Sequence, residues 1–407
     1  MKLERVDLAP SPDRADTVRL TGRVRYEVAK DGPSEEDYWF EFPASYAGEV
    51  SVTGNPWLAC LLPVAVERGE TLSLCRPVDG RMLDAATERM RIWQWWSAAH
   101  APVAVEADVV APDASAGRHA RTVSLFSGGI DSFYTVLRPR AAPIDDLIVI
   151  HGAFDLMYAK REAFERVQAK LASAAGTLGK TLIPSTTNLL HTRLGRTDLV
   201  DISQGSMMGA VPLALERRFS RVLIPASKDL DWHEPWGMHP LTDALLSTTR
   251  TAVVEDAYPV RRVDKTAFVA RSDVALAALR VCLFTGNESN CMDCEKCLRT
   301  AIALEAMGVL ERAEAFHCKA LDVKRVRRMT LGDRHSRHYH EELRGFCREH
   351  GRADLAEAVE HALARARRHD PFRPMVRWLR KLPLVGPATH WLEARVQDVG
   401  VTWHRAQ

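Results

Sequence analysis

The stretch RTVSLFSGGIDSFYTVL, residues 121–137, opens as an apolar strand through Val123, Leu125 and Phe126 and breaks at two adjacent glycines. It resumes with Asp131 and Ser132 in a short helix-like run. A buried strand that passes through a glycine turn into a helix aims backbone N–H groups and the positive helix end at one point, an arrangement that holds an anion such as phosphate. Gly128 and Gly129 allow close approach and backbone angles denied to residues with a Cβ. Ser127 and Ser132 add hydroxyls, and Asp131 is placed to cap the helix or approach a metal. Two other phosphate loops are excluded: no Lys-Ser or Lys-Thr pair follows, and adjacent glycines do not fit the dinucleotide spacing. Serine, glycine and aspartate also make ordinary turns, so the string alone leaves that plainer reading open.

Outward from this turn the text alternates strand and helix. Strands are expected at 122–126, 147–151, 181–184 and 221–225, with helices after Ser132, at 161–178 and at 203–219. Apolar strands alternating with helices predict an α/β fold, a doubly wound and mostly parallel sheet whose ligands bind at the carboxyl ends of the strands. Residues 3–110 alternate apolar and polar positions in short runs, which reads as strands with one helix at 83–98. Residues 111–121 read as a linker, and the chain after 310 as charged helix. The expected division is therefore a β-rich domain at 1–118, an α/β domain at 119–310 and a helical, basic extension at 311–407.

Composition bounds the function. Hydrophobic residues at 46% and charged ones at 27% fit a globular chain, and no apolar run is long enough to span a membrane. The N-terminus lacks the apolar stretch of a signal peptide, so a cytoplasmic location is expected, where eight cysteines serve as thiols or ligands rather than disulfides. Basic runs crowd the last hundred residues, but Glu341, Glu342, Asp354 and Glu357 interleave with them and favour a solvated helix face over a nucleic-acid surface.

Cys282, Cys291, Cys294 and Cys297 form C-x8-C-x2-C-x2-C, a spacing suited to a closed tetrahedral zinc site of structural purpose. Sulfur transfer through one of these thiols is the competing reading. After the strand at 221–225, Lys228, Asp229, His233, Glu234, Trp236, His239 and Asp243 crowd one loop. Trp232 and Trp236 could stack on a planar ring, and Glu234 or His239 could accept a proton from an amine. A packed loop with core tryptophans is an equal alternative. Gly205 opens the helix before that strand, and His151 ends the second strand.

SGGIDS at 127–132 resembles the pyrophosphate loop of the N-type ATP pyrophosphatases, the PP-loop group with adenine nucleotide alpha hydrolase-like domains. Loop and cysteines in this order look like 7-cyano-7-deazaguanine synthase over residues 120–310, with Arg299 at the place of a family arginine. The resemblance implies a HUP-like domain that uses ATP, Mg2+ and Zn2+. Ser127, Gly128, Gly129, Ile130, Asp131 and Ser132, with His151 and Gly205, would bind ATP and its pyrophosphate. Asp131, Ser132, Lys228 and His239 would serve catalysis, and Trp236 and Asp243 would hold substrate. The implied reaction adenylates a small-molecule or peptide carboxylate and passes the acyl group to ammonia or an amine, giving an amide or nitrile. Relatives with extra domains occur in biosynthetic and antiphage-defence clusters. Alternatives are a thiolation enzyme acting on tRNA or a heterocycle, and an ATP-binding scaffold that meets a protein partner through 1–118. A homodimer is compatible with either.

Overall fold

A computed structural model describes residues 1–28, 32–110, 121–153, 161–282, 289–332 and 334–369. Of the linker expected at 111–121, residues 111–120 lie outside them, as does the basic tail beyond 369, while Arg121 belongs to a strand. The chain forms two compact units, one spanning Met1–Val260 and the other beginning at Arg261. The boundaries expected at 118 and 310 fall inside these units.

The strands of the first unit are β1 (Lys2–Pro10), β2 (Thr17–Arg25), β3 (Glu35–Pro43), β4 (Leu72–Leu74), β5 (Val78–Asp79), β6 (Val105–Glu106), β7 (Val109–Val110), β8 (Arg121–Leu125), β9 (Asp146–His151), β10 (Thr181–Thr187), β11 (Phe219–Pro225) and β12 (Ala252–Asp256). Its helices are α1 (Asn55–Arg68), α2 (Gly80–Trp96), α3 (Ile130–Leu137), α4 (Arg161–Thr177), α5 (Gln204–Leu213) and α6 (Pro240–Asp243). Ten strands join one sheet in the order β12-β11-β8-β9-β10-β3-β2-β1-β4-β6. From β12 to β10 every pairing is parallel. The buried face-to-face runs of β8 and β9 suit strands covered on both sides. The fold is thus α/β around a large, mostly parallel sheet.

The N-terminal strands do not stand apart from that sheet. β1, β2 and β3 form an antiparallel meander, and β3 pairs with β10 at Thr186↔Glu41 and Thr187↔Phe40. Asn188 continues the seam, accepting from Trp39 N at 2.9 Å and donating to Asp37 O at 2.7 Å. α1 corrects the reading of residues 3–110 as strands with a single helix at 83–98. Every residue from Asn55 to Val66 is buried, so the helix has no polar face and shows no helical period in sequence. The helix expected at 203–219 ends at Leu213, just past Pro212, and β12 was not anticipated.

At the amino ends of the strands, buried Asp146 accepts paired bonds from Arg121 (2.8 and 2.9 Å) and from Arg218 (2.9 and 3.3 Å). Arg218 also grips Glu49 at 2.8 Å. Glu216 is buried among Ser51, Thr53 and Asn55, all of which donate to its carboxylate. These bonds tie residues 49–55 to the α5–β11 turn, so the N-terminal segment is built into the framework of the sheet.

The second unit is helical: α7 (Arg262–Val269), α8 (Asp273–Ala278), α9 (Glu295–Ala306), α10 (Val323–Arg328), α11 (Arg334–Glu349) and α12 (Ala353–His369). α11 packs on α7, α9 and α12. Within it, Arg299 lies over the Tyr339 ring at 4.0 Å and meets Glu295 at 3.3 Å, joining α9 to α11 through polar side chains.

Candidate functional site

β8 stops at Leu125, and the Phe126 N–H donates to Ile148 O at 2.8 Å, the last tie to β9. The chain then turns through Gly128, whose φ of 78° lies in the left-handed region that glycine adopts without strain. Gly129 is the N-cap of α3 and supplies no side-chain cap to the helix start. Ser132 donates its hydroxyl to Gly129 O at 2.9 Å, bracing the turn from inside, and Asp131 sits in the first turn. Phe126 and Phe133 meet edge to face at 5.0 Å, while Ile130 is fully buried. Apolar anchors on both sides therefore fix the turn.

The position of this turn follows from topology. Strands β9 and β10 build outward from β8 in one direction, and β11 and β12 build outward in the other. β8 is where the winding reverses, and the crevice outside the carboxyl ends at such a reversal is where doubly wound sheets take ligands. β11 lies beside β8, parallel to it, so the loop after Pro225 leaves the same sheet edge as the glycine turn.

That loop is packed. Lys228 is 1% exposed, with Nζ 3.8 Å from the centre of the Trp232 ring and 5.1 Å from that of Trp236. Trp236 donates its indole N–H to Ser227 Oγ at 3.0 Å, and Asp229 accepts from Asp231 N at 3.1 Å. The tryptophans thus enclose an ammonium rather than lie open. His239 caps α6: its Nδ1 accepts from Leu241 N at 3.1 Å, and its ring packs edge-on against Trp96 and Tyr258. Burial lowers its pKa, which keeps the ring neutral.

Gly205 and Asp243 come together. The Gly205 N–H donates to Gly237 O at 2.5 Å, and a Cβ on Gly205 would stand 2.0 Å from Asp243 Oδ1. Close packing of α5 against α6 accounts for that glycine. Asp243 is fully buried, and burial raises its pKa against the opposing charge of Arg89. His151 ends β9 with its ring stacked on Phe164 at 4.5 Å.

The four cysteines assemble in the second unit, with all their sulfurs within 4.8 Å of one another. Cys291 and Cys297 are separated by 3.8 Å, and Cys294 and Cys282 by 4.0 Å. A tetrahedral zinc with sulfurs about 2.3 Å away sets neighbouring sulfurs about 3.8 Å apart, so the cluster could hold such an ion. Met292 adopts a left-handed φ of 56°, and the N–H groups of Asp293 and Cys294 turn toward Cys291 Sγ at 3.4 and 3.2 Å. Cys294 is the N-cap of α9 and Cys297 lies in its first turn, where the helix end favours thiolates.

Sequence reasoning missed Asn290. Its buried side chain accepts from Val281 N at 2.9 Å and donates to Leu279 O and Ala315 O at 3.0 Å each, fixing Cys282 beside the other three. Its place next to Cys291 was the only available signal. Arg89, buried on α2, was also missed, because the charge that bears on it, Asp243, is remote in sequence.

No protein-family model, curated protein or solved structure matches the chain.

Proposed function

We propose that the chain is an AMP-forming, ATP-dependent ligase of the PP-loop class, similar in chemistry to 7-cyano-7-deazaguanine synthase. The observation that carries this reading is the glycine turn without a side-chain cap, at the carboxyl end of the strand where the sheet reverses. Backbone N–H groups of 127–130 and the start of α3 bind the β- and γ-phosphates, and Ser132 holds the turn in shape. Asp131 would be the residue to hold Mg2+, which would supply charge screening. A carboxylate oxygen attacks the α-phosphorus; the new P–O bond forms as the α–β bridge breaks, and pyrophosphate leaves. Ammonia or a primary amine then adds to the acyl carbon, loses a proton to a base or water, and expels AMP. The turn contributes position and fixed dipoles, and no side-chain nucleophile is needed. Lys228, in the loop that follows β11 beside β8, would bring a positive charge to this end of the sheet.

The cysteine cluster would hold Zn2+ as a structural element. The near-tetrahedral sulfur spacing favours this over a persulfide carrier, which needs an open thiol. The test is ATP turnover by the full chain with a panel of carboxylic acids and amines. Expected products are AMP and pyrophosphate in equal amounts, dependent on the acid, with a loss of at least about tenfold in Ser132→Ala. ADP and phosphate as the products, or no acid-dependent turnover despite ATP binding, would reject the ligase.

A further inference from the structure

Buried charges in proteins are paired, and buried polar atoms are hydrogen-bonded; exceptions call for an explanation. The first unit holds a concentrated exception. Arg89 on α2 is 2% exposed and Asp243 on α6 is wholly buried. Each bears on the other's ionisation, yet no hydrogen bond or ion pair joins them among the described residues. Arg89 Nε and Nη2 and Asp243 Oδ2 are buried with no partner among those residues.

Neighbouring groups share this state in an ordered way. Trp93, one helical turn after Arg89, carries a buried indole N–H with no partner among the described residues, and the guanidinium lies 4.8 Å from the centre of its ring. At the start of α5, Gln204 Oε1 and Ser206 Oγ are likewise buried and unpartnered among the described residues. They flank Gly205, whose Cα approaches the Asp243 carboxylate so closely that no Cβ fits. α6 packs against both α2 and α5. The α2 side therefore offers donors and a positive charge, and the α5–α6 side offers acceptors and a carboxylate.

We propose that these two sides bracket a binding position for a small zwitterion bearing a carboxylate and a primary ammonium, an α-amino acid being the simplest member of the class. The carboxylate takes the forked N–H groups of Arg89 with the Trp93 indole N–H, and the ammonium takes Asp243 with Gln204 and Ser206. A neutral ligand would leave both protein charges uncompensated, and a simple anion or amine would compensate only one.

Binding is measured without ATP, so the outcome is independent of the ligase reading. Full-length protein is titrated calorimetrically with each standard α-amino acid, and with propionate and propylamine as single-charge probes. At least one amino acid binds with a dissociation constant below about 1 mM and raises the melting temperature in proportion to its occupancy. Propionate and propylamine bind at least about tenfold more weakly, as does that amino acid to Arg89→Met and to Asp243→Asn, two variants of near-native volume. No binding of any amino acid at about 10 mM would overturn the site, as would equal binding by wild type and both variants. The double variant Arg89→Met/Asp243→Leu guards against misfolding of the single ones, since it removes both charges together. It is expected to melt cooperatively and to have lost amino-acid binding; retained binding would overturn the proposal.

Discussion

The two units hold their key loops by opposite means. In the Met1–Val260 unit the glycine turn hangs from a strand paired on both sides, and its shape is set by sheet topology and by Phe126, Ile130 and Phe133 beneath it. In the unit from Arg261 no strand backs the cysteine loop among the described residues, and one asparagine and a left-handed methionine shape it around four thiols. One loop is held by burial and the other is built so that a coordinated ion could hold it, so different perturbations should unfasten them.

Metal removal gives the largest separation. A structural zinc contributes on the order of 10 kcal/mol to the fold around it. Chelation, or Cys297→Ser, should abolish the calorimetric transition of the helical unit and leave that of the sheet unit in place. A single unchanged transition with no metal per chain would erase the distinction.

The reciprocal perturbation is Asp146→Asn. It leaves Arg121 and Arg218 facing a neutral amide at a buried position and should cost about 3 kcal/mol in denaturant unfolding of the sheet unit, with metal content unchanged. Burial alone would raise the Asp146 pKa, but hydrogen bonds from Arg121 and Arg218 overcome it and hold the carboxyl below its ordinary value. A depressed folded-state pKa contributes stability above the unfolded value and loses it as pH falls through the folded one. Below about pH 4 the wild-type unit should lose stability more steeply than the variant. Parallel acid profiles would remove Asp146 from the account.

Asn290→Ala comes next and probes the coordination loop without touching a ligand. Second-sphere partners of this kind change metal affinity by about 10- to 100-fold, which competition with a chromogenic chelator would measure. The smallest effect belongs to Gly128→Ala. A left-handed conformation costs a residue with a Cβ roughly 1–2 kcal/mol, so the sheet unit should lose about that much in denaturant unfolding while binding of ATP weakens more than the stability loss explains. Unchanged ATP binding would turn the glycine into a turn residue and nothing more.

What the sequence disclosed follows the same contrast. β8, β9 and β11 lie within two residues of their expected limits, because short apolar runs closed by Gly, His or Pro are local signals. The cysteine spacing was legible for the same reason. α1 was not, since a helix buried on every side has no period to read. Nor was the β3–β10 seam, because pairing between residues 40 and 187 is written in no local pattern. Asp243 reads in the sequence as a loop residue that would hold substrate, and Arg89 as one more position of the helix at 83–98; only the packing of α2, α5 and α6 shows that both are buried charges. His239 shows a reading the structure adds to: the histidine of a polar loop drew attention as a base, and its Nδ1 accepts a backbone N–H at a helix cap.

The central claim is that a carboxylate attacks the α-phosphorus of ATP at the glycine turn. The most direct measurement supplies the full chain with ATP, an amine and a carboxylic acid labelled with oxygen-18 in its carboxyl group. Because the acyl carbon–oxygen bond breaks when the amine attacks, the account predicts AMP carrying one labelled oxygen for each amide formed. Unlabelled AMP, or ADP in its place, would contradict it.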